Sequence, residues 1–164
     1  MPVIVDGNNL LYAARAAQDG GPLMGRSLLC DALGKWSRRR GERVHVVFDG
    51  PAPSDGLASQ IADAAIQVSY SGGVSADAVV IEMLATDSAA RRLLVVSSDR
   101  ELAQAASRRR ARSVRSEEFW ALLRQDLARS LPRRIEPAEK VHGLGPEAAE
   151  EWLREFGLDE ADSS

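Results

Sequence analysis

Four aspartates in this chain stand where strand-like runs give out. Val3-Ile4-Val5 stops at Asp6-Gly7-Asn8-Asn9, Val44-His45-Val46-Val47-Phe48 at Asp49-Gly50, and Leu93-Leu94-Val95-Val96 at Ser97-Ser98-Asp99. A weaker run, Ile66 to Tyr70, leads through Ser71-Gly72-Gly73 to Asp77. A lone aspartate after a strand is usually a turn former or a helix cap. Three at strand exits, with Asp77 just beyond a fourth, predict one place where carboxylates gather. Two like charges about 4 Å apart repel by roughly 4 kcal/mol at an effective dielectric near 20, so such a cluster calls for a cation. Hard oxygen donors without histidine or thiolate select Mg²⁺ or Mn²⁺ over zinc. A cation held this way lowers the pKa of a water and clamps the oxygens of an in-line phosphoryl displacement, which makes phosphodiester hydrolysis the expected chemistry. Asp55, Asp63, Glu82 and Asp87 read as surface charges, with Glu82 held in reserve.

The elements that must position these acids alternate. A helical, alanine-rich stretch runs from Leu10 to Gln18 and breaks at Asp19-Gly20-Gly21-Pro22. Met24, Leu28, Leu29, Leu33 and Trp36 recur at helical spacing up to Arg40-Gly41. Leu57 to Ala64 reads as a short helix, and Ser75 as the N-cap of a helix through Ala85. Another helix follows Asp99 to Ser107, a short strand spans Ala111 to Val114, and Ser116 is expected to cap the helix carrying Phe119, Trp120, Leu123 and Leu127. Alternation of this kind predicts parallel strands, right-handed crossovers and helices on both faces of the sheet. Ligands of such sheets bind outside the carboxyl ends of the strands, where Asp6, Asp49 and Asp99 fall, with Asp77 in the next helix's first turn.

At 164 residues with one cysteine, Cys30, the chain is read as one domain free of internal disulfides and suited to a reducing compartment. No apolar run approaches the roughly 20 residues needed to span a bilayer, and the first strand begins at once, with no signal-peptide pattern. A cytoplasmic location is the expectation, with no membrane partner. The net charge of −3 hides an asymmetry, for the chain is mildly basic through Glu136 and acidic from Pro137 onward, which leaves room for nucleic acid as a partner. Beyond Leu131 a Pro- and Arg-containing linker, an amphipathic helix from Pro146 to Phe156 and an acidic tail are expected, so the chain divides at 1–130 and 131–164.

The blocks Val5-Asp6-Gly7-Asn8-Asn9, Phe48-Asp49-Gly50, Ser75-Ala76-Asp77 and Val96-Ser97-Ser98-Asp99, in this order and spacing, resemble the motifs of the YacP-like NYN nucleases, a branch of the PIN-like superfamily. The resemblance covers Met1 to about Arg129. It implies a PIN-like three-layer α/β sandwich, with a central, mostly parallel sheet between helices and a C-terminal helical extension. It also implies a metal-dependent endoribonuclease acting on RNA, in some members on ribosome-bound mRNA. By the same resemblance Asp6, Asp77 and Asp99 bind Mg²⁺ or Mn²⁺, Asp49 does so directly or through water, Asn9 orients Asp6, and Ser97 or Ser98 supports the site. The family often carries a second acid directly after the third block's aspartate; this chain has Ala78.

Arginine suits phosphate through its planar donor fork. Arg100 adjoins Asp99, Arg108-Arg109-Arg110 end the same helix, and Arg38 begins a triplet that ends another; these are the expected RNA contacts. Tyr12, Tyr70, Trp36 and Trp120 read as core or rim, His45 as part of its strand, and Cys30 as inert on an apolar face. Other readings are weighed. A binding module on the same fold could hold RNA or a ribosomal surface without cutting, a reading Ala78 favours. A phosphatase of the haloacid-dehalogenase type needs an acid two residues after its nucleophile, where Asn8 stands. A dinucleotide-binding enzyme lacks its Gly-rich fingerprint. Oligomeric state is left open.

Overall fold

The computed structural model describes residues 1–129. Five strands, β1 (Val3–Asp6), β2 (Val44–Phe48), β3 (Ile66–Tyr70), β4 (Leu94–Val96) and β5 (Arg112–Val114), form one sheet in the order β3-β2-β1-β4-β5, and every pairing is parallel. Six helices accompany them: α1 (Gly7–Ala16), α2 (Arg26–Arg40), α3 (Asp55–Ile61), α4 (Ala76–Thr86), α5 (Arg100–Arg108) and α6 (Ser116–Ala128). A single 3-10 turn at Ala90–Arg92 leads into β4. The expected sandwich is present. The linker, the Pro146-to-Phe156 helix and the acidic tail lie outside the described residues. No helix among the described residues is long and apolar enough to cross a membrane.

Strand side chains alternate between faces, so the central strands β1, β2 and β4 feed two cores. Val3 and Val5 of β1, with Val44, Val46 and Phe48 of β2, pack under α1, α2 and α6, against Leu10, Leu29, Leu33, Trp36, Phe119 and Leu123. Ile4, Val47 and Val95 point the other way, toward Val80 and Leu84 of α4 and Leu102 and Ala106 of α5. The split follows from handedness. Connections from β1 to β2 and β3 run one way across the sheet, those from β3 to β4 and β5 run back, and right-handed crossovers then put their helices on opposite faces. At the α2–α6 seam Trp36 meets Phe119 edge to face, centroids 5.2 Å apart. The Trp36 indole N–H donates to Asp126 Oδ2 at 3.1 Å, which satisfies a donor that burial would otherwise leave costly.

The sequence signals for helix ends hold in most places. Gly41 closes α2 in the left-handed region, φ 66°, and Ser75 Oγ accepts the Ala78 N–H to cap α4. Helix α1 starts at Gly7, three residues earlier than the alanine-rich stretch suggests, because Asp6 caps it. Ser116 is not the cap of α6; Arg115 holds that position without a side-chain bond, and Ser116 is the first helical residue.

Candidate active site

The strand order reverses between β1 and β4, and the crevice above that switch point is where ligands bind in open α/β sheets. Asp6 ends β1 beside Val47 of β2 and is 5 % exposed. Its Oδ1 accepts the Asn9 N–H at 3.1 Å, and its Oδ2 accepts the Ser97 hydroxyl at 3.2 Å from just past β4. Asp49 leaves β2, and its Oδ1 accepts the Ala76 N–H at 2.6 Å in the first turn of α4. The other Asp49 oxygen accepts from Asn8 Nδ2 at 3.2 Å. Asp99 caps α5, with Oδ1 accepting the N–H groups of Glu101 and Leu102. Asp77 stands in the first turn of α4.

Capping and clustering are therefore compatible: a carboxylate can spend one oxygen on a helix N-terminus and keep the other for a neighbouring group, as Asp6 and Asp49 do. The four acids sense one another at the edge. Burial chiefly, then the charges of Asp6, Asp99 and Asp49 and a hydrogen bond with Asp6, push Asp77 up to about 6. Asp6 is also raised, mainly by burial, against the lowering effect of the Asn9 and Ser97 bonds. A proton shared near Asp6 and Asp77 is one answer to this crowding, and a cation is another. The donors are all hard oxygens, and Asn8 Oδ1, buried beside Asp49, has no hydrogen-bond partner. This chemistry fits Mg²⁺ or Mn²⁺. Among the described residues, however, no three His, Cys, Asp or Glu side chains are already set out as a ligand cage. Their oxygens rest instead on backbone and side-chain donors, so closing on a cation requires side chains to turn.

The supporting residues differ in role from expectation. Asn9 meets Asp6 through its backbone N–H alone. Its side chain works elsewhere: Oδ1 accepts the Ser98 N–H at 3.0 Å and the Ser116 hydroxyl at 2.9 Å, pinning the β1 exit to the β4 exit and to α6. Ser97 Oγ donates to Asp6 and accepts the Asp99 N–H at 3.1 Å, so one hydroxyl sets two of the acids. Ser98 Oγ donates to Glu117 and accepts the Ser116 N–H; that bond is the first cause holding Glu117 below the usual carboxylate range. Asn9→Ala would strand a part-buried N–H and the hydroxyl of the fully buried Ser116, at about 1–3 kcal/mol for a buried group left unpaired. A drop of about 2 kcal/mol in urea unfolding, with the slope unchanged, is the expected result.

Most of the expected RNA-binding arginines are at the amino end of the sheet, away from the four acids. A helix that follows a strand's carboxyl end finishes at the amino end of the next strand. Arg108, Arg109 and Arg110 end α5 just before Arg112, which pairs with Leu94 at the start of β4. Arg109 donates to the carbonyls of Leu84 and Asp87. Arg38 likewise lies before Val44, which pairs with Val3, and is held by Asp63 at 2.7 Å. Arg100 alone of the set stays at the carboxyl edge, exposed in a depression of about 260 Å³ shared with Asp99, Arg115 and Glu118. Glu82 is exposed and outside the cluster, and Asp63 and Asp87 make turn and ion-pair contacts.

Other expectations stand as made. Trp36 and Trp120 are core, and the Cys30 thiol is pushed up to about 12, mainly by burial. His45 is half-buried on its strand against Ser69 Oγ at 2.6 Å, and burial lowers its pKa. Tyr12 is not core; it is 76 % exposed. Asn8, Ser116 and Arg26 are parts of this edge that sequence reasoning missed. Arg26 carried a signal, for a cation in a helix's first turn opposes the helix dipole.

A family model of the YacP-like NYN domain matches residues 3–146. Among solved structures, the chain resembles Rae1 (YacP) from Bacillus subtilis, at 19 % identity and a TM-score of 0.57, over 96 % of this chain and 84 % of that one. A tryptophan-to-leucine mutant of the same protein gives 18 % identity and a TM-score of 0.58, over 98 % and 86 %. These are likenesses of fold. Among curated proteins none matches.

Proposed function

The chain belongs to the YacP-like NYN domain family, and on that premise we propose that it is a Mg²⁺- or Mn²⁺-dependent endoribonuclease that hydrolyses single-stranded RNA, including mRNA on the ribosome. The observation that carries this reading is the convergence of Asp6, Asp49, Asp77 and Asp99 at the carboxyl edge, close enough for three of them to raise the fourth. Asp6, Asp77 and Asp99 would hold the cation, and Asp49 would hold it directly or through water. When bound, that cation supplies charge neutralisation, a more acidic water and a clamp on the oxygens of the phosphodiester.

The rest is done by the chain's own groups. Ser97 donates to Asp6 Oδ2 and accepts the Asp99 N–H, which ties the acid at the end of β1 to the one just past β4. Asn9 keeps the two strand exits together. Arg100, exposed beside Asp99, would hold a backbone phosphate there. RNA as substrate, and the ribosome as its setting, rest on the family resemblance.

The test is thermal unfolding in rising Mn²⁺, followed by cleavage assays with and without ribosomes. A ligand at a hundred times its Kd stabilises by about 2.7 kcal/mol, several degrees in Tm. The wild type should gain this and Asp99→Asn should lose most of it. A wild type indifferent to millimolar Mn²⁺ and Mg²⁺ would remove the metal site. A second reading, an RNA- or ribosome-binding module that does not cut, is favoured by Ala78 and by carboxylates not yet arranged as a cage. Metal binding without cleavage of any RNA is its signature.

A further inference from the structure

On the α1 side of the carboxylates lies a depression of about 500 Å³ lined by Asn8, Leu11, Tyr12, Arg15 and Arg26. Asn8 joins it to the acids through its bond to Asp49. Asn8, Tyr12 and Arg15 stand at i, i+4 and i+7 on α1, one stripe of the helix about 10 Å long, while Leu10, Ala13 and Ala14 face the core. Tyr12 thus offers a bare aromatic face.

The two arginines are anchored but uncommitted. Arg26 Nη2 donates to the Asp49 carbonyl at 3.3 Å, and its guanidinium lies 4.9 Å from the centre of the Phe48 ring. Arg15 Nε donates to the Met24 carbonyl at 2.7 Å. Neither forms an ion pair with a carboxylate among the described residues, so each guanidinium has N–H groups left to give. Arg26 is also the first residue of α2, where the helix dipole disfavours a cation, and an incoming anion would answer both. Aromatic faces take unpaired bases without regard to sequence, and guanidinium forks take phosphates.

We propose that this depression is a nucleotide subsite of the RNA path, in which an unpaired base stacks on Tyr12 while its phosphate is held by Arg15 and Arg26. The inference rests on the phosphodiesterase reading of the adjacent acids. It places the substrate strand across the edge from Tyr12, past Asp49, toward Arg100, and it replaces Arg38, Arg108, Arg109 and Arg110 as the basic contacts.

The test uses the full chain in EDTA, so that binding is read without cleavage, and single-stranded oligoribonucleotides carrying 2-aminopurine at successive positions. At one position the wild type should quench the probe. Tyr12→Ala should abolish that quenching and weaken binding roughly tenfold, whereas Tyr12→Phe should preserve both. Arg26→Ala should weaken binding and lower the slope of log K against log salt by roughly 0.7, and Arg38→Ala should leave that slope alone. If the wild type binds and cuts RNA while Tyr12→Ala matches it in affinity and quenching, the subsite is overturned and the nuclease reading survives. If ribosomes bind less tightly to Tyr12→Ala while free RNA binds unchanged, the face serves a protein partner and the inference fails. A wild type that neither binds nor cuts single-stranded RNA refutes the nuclease reading and this subsite with it.

Discussion

Asp77→Asn should cut RNA hydrolysis by a factor on the order of a hundred or more and, without metal, make the protein harder to unfold at neutral pH. The two effects share one cause. Asp77 is pushed up to about 6, first by burial and then by Asp6, Asp99 and Asp49, so the native state binds its proton more tightly than the unfolded chain does. Stability from this group is fully present below the ordinary carboxylate value of 3.8 and is lost as pH rises toward about 6. Above that the native state carries the whole repulsion. Asparagine keeps the shape and removes the charge. The gain at pH 7.5 should be on the order of 1 kcal/mol, because Asp77 is only half-buried and solvent screens its neighbours. At pH 3.5 the gain should vanish. Denaturant unfolding in EDTA at the two pH values, beside a cleavage assay in Mn²⁺, reads both halves. A mutant less stable than the wild type at pH 7.5 would mean that Asp77 is a structural acid rather than a strained one.

The second large effect is predicted for Gly7→Ala. In most helices glycine-to-alanine helps by up to about 1 kcal/mol; here the sign should reverse. A Cβ at Gly7 would lie 2.5 Å from Phe48 Cδ1 and 2.9 Å from Val46 Cγ1. Phe48 is fully buried, with its ring near Tyr70, centroids 6.0 Å apart, so it has little room to give. The start of α1 must lift off the sheet, carrying Asp6 away from Ser97. A loss of about 3 kcal/mol, or roughly 10 °C in Tm, is expected, together with a weaker Mn²⁺ response. A variant melting within a degree of the wild type would show that the helix start is not held against β2 as described.

Asp6, Asp49 and Asp99 were legible because each follows a short apolar strand run, and parallel strands bring their ends to one edge whatever their order in the chain. The helices were legible from apolar spacing and from Ser75 and Gly41. The arginines were not, because they were read as clusters in sequence. Topology decides their place: a crossover helix returns to the amino edge, so basic triplets at the ends of α2 and α5 are carried away from the site that the same strands create. Tyr12 failed differently. It lies in an alanine-rich stretch whose inward stripe is Leu10, Ala13 and Ala14, and nothing in the spacing shows that the remaining face borders the acids. Asn9 and Ser116 are beyond local reading altogether, since their bond joins residues 107 apart.

That last distance has a consequence in the order of synthesis. Strand β1 is made first yet lies at the centre of the sheet, and one of its edges waits for β4. Asp6 gains the Ser97 hydroxyl only across 91 residues, and Asn9 finds its second partner later still. A growing chain can pair β1, β2 and β3 early, but its first acid faces an open edge until residues 94–99 have arrived. The carboxylates of Asp6 and Asp49 are thus present long before the site they belong to, which is completed late and all at once. Truncation before Asp99 should leave a strand edge prone to aggregation and an acid cluster that lacks its last member.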